Sequence, residues 1–329
     1  MASKNQSSAF EEKKLYTGEI NINYAAGPKN GPPLVLVPGQ TVSWGNYEKV
    51  LEPLSKNFRV FAVDVRGHGK SDWTPGSYSF ETIGKDMAAF LKKVVRRPAF
   101  ISGHSSGGLI ALWLAANRPE SVQGIILEDT PLFSAEWPRI KEEHVYHVLT
   151  DLVEVMETMN QLGDVRSLSE ALQKIERPIE GRSKTKRFPG WLTRMIAGII
   201  RKHQRKGIRG KISRRYLPKK INLLLEILTT FDSDFAKAWV EGRIYEGLDH
   251  EDALTRAKCP ALLLHASWFR HEKFGLVGAM DDDDVKKALS LMPQCIYKKI
   301  DSPHVIHTAN PQIFVQEIEQ FTKEVSNKS

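Results

Sequence analysis

Apolar and polar residues follow two different periods along the first 131 residues of the chain. A polar tail occupies residues 1–14, and the alternation over residues 15–24 predicts an opening strand. Short apolar runs predict four buried strands, at residues 34–37, 60–65, 99–103 and 122–127. Helical spacing lies between these runs, at residues 47–54, 79–95 and 107–117. This succession predicts a mostly parallel central sheet with helices on both faces.

The alternation is interrupted between residues 132 and 249, where the sequence shows helical patterns and no convincing strand. It then resumes with a strand at 261–265, a helix at 283–291, a strand at 295–300 and a last helix at 311–325. We therefore predict an α/β core formed by residues 15–131 and 250–325. The helical insertion at residues 132–249 is predicted to be a cap, or lid, on that core.

Composition narrows the class of protein. Hydrophobic residues make up 41% of the 329 positions and charged residues 26%, which suits a soluble α/β protein and excludes disorder, collagen-like repeats or a disulfide scaffold for the whole chain. No apolar run approaches the ~20 residues of a membrane span, and the first residues lack the apolar stretch of a secretory signal. The two cysteines, Cys259 and Cys295, are interpreted as structural thiols in a reducing compartment. We expect a cytoplasmic protein.

Positive charge is concentrated in one stretch of the predicted cap. Residues 174–220 contain seventeen Lys or Arg and two acids, a local net charge of +15 in a chain of net charge +8. Such a block suits an anionic partner or a solvated helical face. Around Trp191 the apolar residues recur near helical spacing beside Arg194 and Lys202, which suits either weak contact with an anionic membrane or a helix that covers a pocket. We expect no nucleic-acid partner, and the pattern specifies no oligomeric state.

The sharpest motif is Gly103-His104-Ser105-Ser106-Gly107, which matches Gly-x-Ser-x-Gly. It follows a predicted strand and opens a predicted helix. A nucleophile on such a turn needs flanking glycines, because the backbone passes close to its neighbours there. The motif predicts Ser105 as a nucleophile.

A serine hydroxyl needs a base, and two histidines follow the last predicted strand. His304 is the preferred base because it lies just past that strand, from which it could return over the sheet to Ser105. His307, three residues later, is the competitor.

An acid should orient the imidazole. The strand at 122–127 ends in Glu128 and Asp129, whose side chains alternate in direction, so at most one of them faces the site. Asp129 is preferred, because the strand gives way there to a Thr-Pro turn. The other candidate position for the acid follows the strand at 261–265, but no acid occurs there before Glu272.

Two backbone N–H groups should stabilise a developing oxyanion. Ser106, directly after the nucleophile, can donate one. The second is assigned to Gln40, in the loop where Gly39 permits the turn. The acidic run at residues 281–284 precedes a predicted helix and is interpreted as chemistry of the helix start rather than as a metal site.

Together these features resemble the α/β-hydrolase superfamily, in its serine esterase and lactonase type. Five features carry the resemblance. They are the strand-to-helix turn at Ser105 (the nucleophile elbow), the loop at Gly39, the stretch Asp-Val-Arg-Gly-His-Gly-Lys-Ser at residues 64–71, the late His304, and the order serine, acid, histidine. It covers residues 15–131 and 250–325. The resemblance implies the α/β-hydrolase fold, with an inserted helical cap, and requires neither a metal nor an organic cofactor.

Two departures from the common family pattern are informative. Many relatives have His-Gly where this chain has Pro38-Gly39, and many carry the acid where this chain has Trp268 and Phe269. Haloalkane dehalogenases and zearalenone lactonases place the acid one strand earlier, 24 residues after the nucleophile, and that spacing leads from Ser105 to Asp129. The serine nucleophile argues against dehalogenase and epoxide hydrolase chemistry.

The resemblance implies acyl transfer to water on a small-molecule ester or lactone. We expect the insertion to select a bulky apolar substrate, with macrolide antibiotics and zearalenone-like toxins as examples. The residues expected to line its cleft with Gly39 are Trp137, Trp191, Trp239 and Trp268. The alternatives are a general carboxylesterase, a membrane-associated lipase-like enzyme and a ligand receptor with little turnover. Carbon–carbon bond hydrolysis and cofactor-free peroxidation use the same triad.

Overall fold

A computed structural model describes residues 10–161, 164–206, 210, 212 and 214–328 of the chain. In chain order its strands are β1 (Glu11–Tyr16), β2 (Asn21–Ala26), β3 (Pro33–Val37), β4 (Arg59–Val63), β5 (Ala99–His104), β6 (Val122–Glu128), β7 (Arg177–Ile179), β8 (Arg182–Lys186), β9 (Ala261–His265), β10 (Phe269–His271), β11 (Gly275–Val277) and β12 (Cys295–Lys299).

The helices, again in chain order, are α1 (Glu48–Ser55), α2 (Phe80–Phe90), α3 (Ser106–Asn117), α4 (His144–Asn160), α5 (Val165–Lys174), α6 (Gly190–Gln204), α7 (Lys219–Thr230), α8 (Ser233–Val240), α9 (His250–Arg256), α10 (Asp282–Leu291), α11 (Ile306–Ala309) and α12 (Pro311–Lys328). None of the helices in the described part of the chain is long and apolar enough to cross a membrane.

Eight strands form one sheet in the order β1-β2-β4-β3-β5-β6-β9-β12. The strands from β4 to β12 in that order run parallel, whereas β1 and β2 join antiparallel at one edge. Every residue of β3, β5 and β9 is buried, as expected for parallel strands covered on both faces. The predicted fold class, a mostly parallel sheet with helices on both faces, is confirmed.

Two apolar layers hold the helices against the sheet. On one face α1 and α12 pack on alternate strand residues such as Leu36 and Ile126. On the other face α2, α3 and α9 pack on residues such as Val35 and Ile125. Successive side chains of a strand point to opposite faces, so each central strand contributes to both layers. The strands β5, β6 and β9 thus lie between the two layers.

The predicted strand over residues 15–24 is wrong, because the structure has two antiparallel strands, β1 and β2, in this region. The chain reverses between them at Gly18, whose φ of 125° is readily accessible only to glycine. A backbone hydrogen bond from Thr17 N–H to the Ile20 carbonyl (2.8 Å) closes this turn. Apolar and polar residues continue to alternate across the turn, so the sequence pattern does not show where one strand ends and the next begins.

The insertion between β6 and α9 contains the helices α4 to α8 and also a short hairpin, β7–β8, where no strand is predicted. The sequence misses this hairpin because its strands are short and largely exposed, so neither has an apolar face. Contacts tie the junction of α7 and α8 to the core: the Asp232 N–H donates to the Gly67 carbonyl (2.9 Å), and Phe231 packs on His68.

Candidate active site

Ser105 lies on the turn between β5 and α3, at the carboxyl edge of the sheet. Its φ of 52° and ψ of −124° are a strained conformation for a residue with a side chain. The glycines on either side permit this turn. A Cβ at position 103 would lie 2.2 Å from the Gly107 carbonyl oxygen, and one at position 107 would lie 2.3 Å from the Val37 carbonyl oxygen. The two glycines of the motif are therefore steric requirements of the turn.

Backbone hydrogen bonds hold this turn in place. The Ser105 N–H donates to the Glu128 carbonyl at the end of β6 (2.9 Å), and the Gly108 N–H donates to the Ser105 carbonyl (2.8 Å). The N-terminal end of α3 lies directly after Ser105, and its partial positive charge favours negative charge nearby. The Ser105 side chain is partly exposed and makes no hydrogen bond with another described residue.

His304 and Asp129 meet beside this turn. His304 Nδ1 lies 2.6 Å from Asp129 Oδ2, and the other carboxylate oxygen, Oδ1, accepts from the Ala266 N–H (2.9 Å). Asp129 is buried and has a φ of 42°, while 42% of the His304 side chain is exposed. The aspartate is therefore fixed by the chain after β9, and it fixes the imidazole in turn.

The charge on Asp129 sets the proton affinity of His304. Loss of hydration acts to lower the pKa of His304, but the hydrogen bond and negative charge of Asp129, with a smaller contribution from Glu128, raise it above its ordinary 6.5. Because Nδ1 faces the carboxylate, the proton stays on Nδ1 and Nε2 is left as the basic atom.

Glu128 and His307, the two residues passed over in favour of Asp129 and His304, pair with each other. Both are fully buried; His307 Nδ1 lies 2.8 Å from Glu128 Oε2, and the His307 N–H donates to Glu128 Oε1 (2.8 Å). His307 Nε2 lies 2.6 Å from Asn46 Oδ1. Glu128 and Asn46 thus hold the His307 ring from its two nitrogens. Burial acts to raise the pKa of Glu128, but the adjacent His307 holds it below its ordinary value.

His104 is a third histidine at the site, and sequence reasoning assigns it no role. Its ring is 4.7 Å from that of His304 and 5.3 Å from that of His307. Burial lowers the pKa of His104 to about 3, so the ring is neutral at neutral pH. His104 Nε2 lies 3.2 Å from the His304 carbonyl, to which it donates in the tautomer protonated there. Its place before Ser105 in the motif is the only sequence signal for this contact.

The loop after β3 approaches the nucleophile closely. A Cβ on Gly39 would lie 3.2 Å from Ser105 Cβ and 2.6 Å from His104 Nδ1. This contact places Gln40, the predicted second oxyanion donor, beside the elbow. Ser106, the predicted first donor, is buried at the first position of α3. Ser43 Oγ donates to Glu226 Oε1 of α7 (2.9 Å), which ties this loop to the insertion.

The four predicted substrate-binding tryptophans differ in their burial and contacts. Trp239 is buried against Phe80 and Tyr245. Trp137 is 39% exposed with a lysine ammonium over its ring, and Trp191 is 69% exposed. Trp268 donates from Nε1 to an aspartate at the start of α10 (3.1 Å). A local sequence pattern does not specify where a large side chain on a helix or loop points, so it could not show which of the four lie on a common cleft.

The acidic run at residues 281–284 begins α10, as predicted. Asp281 Oδ1 accepts from the Asp283 and Asp284 N–H groups, and Arg139 pairs with Asp284. These hydrogen bonds cap the first N–H groups of α10, so the acidic run serves as the start of that helix.

Comparisons with known proteins agree with this architecture. The AB hydrolase superfamily protein YfhM of Bacillus subtilis is 31% identical over 193 residues, which cover 52% of this chain and 66% of that protein. A pimeloyl-(acyl-carrier protein) methyl ester esterase of Yersinia pseudotuberculosis is 34% identical over 113 residues, 33% of this chain and 42% of the relative. The chain spans less than two thirds of the length of these curated relatives.

The fold is also similar to that of solved structures. The crystal structure of the enol-lactonase from Burkholderia xenovorans gives a TM-score of 0.60 at 16% identity and covers 94% of this chain and 100% of that chain. A family model described as the alpha/beta hydrolase fold matches residues 32–211, more than half of the sequence. The chain therefore belongs to the α/β hydrolase fold family.

Proposed function

We propose that the protein is a serine hydrolase that cleaves the carboxylic ester bond of a bulky apolar ester or macrolactone. The observation that carries this proposal is the placement of Ser105 on a strained turn beside a histidine whose Nδ1 is held by a buried aspartate. That arrangement supplies a nucleophile, a base and an orienting acid in one cluster.

In the proposed reaction His304 Nε2 takes the proton of the Ser105 hydroxyl as its oxygen attacks the ester carbonyl carbon. Asp129 stabilises the imidazolium that forms. His304 then gives the proton to the departing alkoxide, which leaves an acyl-enzyme. Water, activated by the same imidazole, hydrolyses the acyl-enzyme and restores Ser105.

The Ser106 and Gln40 N–H groups are the proposed oxyanion donors. Ser106 lies at the N-terminal end of α3, and the close contact of Gly39 with Ser105 brings Gln40 next to the reacting centre. Backbone donors in a fixed turn need no reorganisation when charge develops, which makes them effective at this position.

The substrate class rests on two features. Relatives include an enzyme named for a methyl ester and, among similar folds, an enol-lactonase; both act on acyl–oxygen bonds. The insertion at residues 132–249 is proposed to form a cap, because α7 reaches the loop beside the nucleophile through Glu226. A cap of this length suits a large substrate.

Mass spectrometry on a panel of simple esters and macrolactones tests the proposal. Conversion by the wild type, with no conversion by Asp129→Asn beyond a trace, is expected for at least one panel member. A gain of one water without fragmentation identifies a lactone, and two fragments identify an open ester. Tight binding of a panel member with no turnover would instead indicate a ligand receptor and contradict the proposal.

The pH dependence follows from the raised pKa of His304. The base must be neutral, so kcat/KM should fall as the pH drops, with a midpoint above 6.5 in the wild type. In Asp129→Asn the raising effect of the carboxylate is lost, so the midpoint should move to lower pH while kcat falls on the order of 10⁴-fold. A pH–rate profile of both proteins checks this, and identical midpoints would contradict the assigned pair.

We also propose a cytoplasmic location, and its support is that the two cysteines form no disulfide. Cys259 and Cys295 are both free. Burial raises the pKa of Cys259 to about 11 and that of Cys295 to about 12, so neither is a reactive thiolate at neutral pH.

A further inference from the structure

The inner and outer faces of α6 differ sharply. Its buried residues are Thr193, Ile196, Ala197, Ile200 and Arg201, which pack on neighbouring helices of the insertion. Trp191, Arg194, Lys202 and Arg205 are exposed and follow one another at intervals of three, eight and three residues. Such spacing places them on one side of a helix, over a length of ~21 Å. We call these four residues the basic face.

The cations of the basic face lack carboxylate partners. No ion pair among the described residues involves Arg194, Lys202 or Arg205. The same holds for the exposed cations that precede and follow α6 in the chain, Arg182, Lys184, Lys186, Lys206, Arg214, Arg215, Lys219 and Lys220.

Of the two acids in residues 174–220, Glu176 does not neutralise this charge. Hydrogen bonds from Lys273 and Arg187 hold the pKa of Glu176 at about 2, so its carboxylate is already engaged. Lys174 pairs with Glu154 of α4. The basic face and the cations that flank it in the chain thus outnumber Glu180, the other acid of this stretch, and carry a net positive charge.

Exposed aromatic residues accompany this charge. Trp191 is 69% exposed at the start of α6, and Tyr216 is 74% exposed between two pairs of cations. They are the two most exposed of the large hydrophobic side chains in the described part of the chain. Trp and Tyr rings partition to the polar boundary of a bilayer, where their apolar body and polar tip are both solvated. Lys and Arg beside them are attracted to anionic headgroups.

We propose that the basic face is a docking surface for anionic lipid bilayers, with Trp191 seated among the headgroups. Single-stranded nucleic acid also binds cations and aromatics, but it is held by successive stacking rings along a groove. Here one Trp stands on the outer side of a helix among cations, which matches a flat anionic surface better. The proposal concerns binding and is independent of the ester chemistry above.

Co-sedimentation of the full chain with vesicles tests the proposal. Vesicles of phosphatidylcholine with phosphatidylglycerol should bind the wild type at low salt, and pure phosphatidylcholine vesicles should not. Binding should fall at least roughly tenfold when the ionic strength is raised to ~0.5 M, because exposed charges are then screened. The variant Arg194→Gln/Lys202→Gln/Arg205→Gln should weaken binding roughly tenfold to hundredfold. Trp191→Ala should weaken binding severalfold and leave its salt dependence unchanged.

The matched control removes the same charge elsewhere. Lys29, Lys56 and Lys92 are exposed outside the insertion, so Lys29→Gln/Lys56→Gln/Lys92→Gln should bind vesicles within about twofold of the wild type, as expected when only the local field near the bilayer matters. Circular dichroism verifies that all variants are folded. The proposal is overturned if the wild type fails to sediment with anionic vesicles at low salt or if both triple variants lose binding equally. It is also overturned if a single-stranded RNA oligonucleotide binds more tightly and displaces the vesicles.

Discussion

Ser105→Ala is expected to abolish ester hydrolysis while leaving the fold intact. Removing the nucleophile of a triad lowers kcat by on the order of 10⁶-fold, because the histidine and acid have no remaining group to activate. The Ser105 side chain makes no hydrogen bond with another described residue, so its loss costs the fold nothing there. The substitution also relieves no strain, since alanine and serine meet the same penalty at a φ of 52°. Steady-state kinetics on a panel substrate, with thermal unfolding alongside, measures both effects.

Ser102 provides the matched control for this substitution. It lies on β5, three residues before Ser105, and its buried hydroxyl has no hydrogen-bond partner among the described residues. Ser102→Ala should therefore keep wild-type kcat within a few fold. If Ser105→Ala retained activity, or if Ser102→Ala lost as much as Ser105→Ala, the assignment of the nucleophile would be wrong.

Glu128→Gln is expected to be the most destabilising of the conservative substitutions near the site. The change removes the buried carboxylate that accepts from the His307 N–H and faces His307 Nδ1, and it keeps the size of the side chain. Removing the charged acceptor of buried hydrogen bonds costs about 2–3 kcal/mol, because the donors that faced it are left without their partner. Denaturant titration at neutral pH gives the change in the free energy of unfolding.

The cost of Glu128→Gln should depend on pH. The pKa of Glu128 is lowered in the folded protein, so the wild type gains stability from this group above pH ~4.5 and loses it as the pH falls through the folded pKa. The difference between wild type and variant should therefore shrink in acid. Removing His307 as well, in Glu128→Gln/His307→Gln, should recover part of the loss, since the imidazole that had faced the carboxylate is then absent too.

An exposed ion pair provides the control. Glu170 pairs with Arg166 on the surface of α5, with 58% and 85% of their side chains exposed. Glu170→Gln is the same chemical change and should leave the unfolding midpoint unchanged. Equal losses for Glu128→Gln and Glu170→Gln would show that the buried pair carries no special weight.

Much of the core could be read from local pattern. The strands β3, β5, β6 and β9 fall where short apolar runs occur, because strands buried on both faces need apolar residues at consecutive positions. The turn at Ser105 is equally local, since the glycines that permit it lie within two residues of the serine. The sequence pattern does not predict the hairpins β7–β8 and β10–β11, because strands of three to five residues are too short to show a clear period.

Pairing at the site depends on distant segments. Asp129 and His304 are 175 positions apart, and Glu128 and His307 are 179 apart. The two acids are adjacent in the chain and the two histidines are three residues apart, and each acid pairs with one of the histidines. The register of β6 against β9 and the turn before α11 select the partners, and both are products of packing.

The sequence by itself therefore determined the parallel α/β core, the elbow and the identity of the candidate nucleophile, because each depends on residues close together in the chain. The tertiary structure decided which histidine meets which acid, brought His104 close to both imidazoles, and placed Trp239 in the core and Trp191 on the surface. Those outcomes depend on how distant elements pack, and a side chain's neighbours across a fold leave no periodic trace in the sequence.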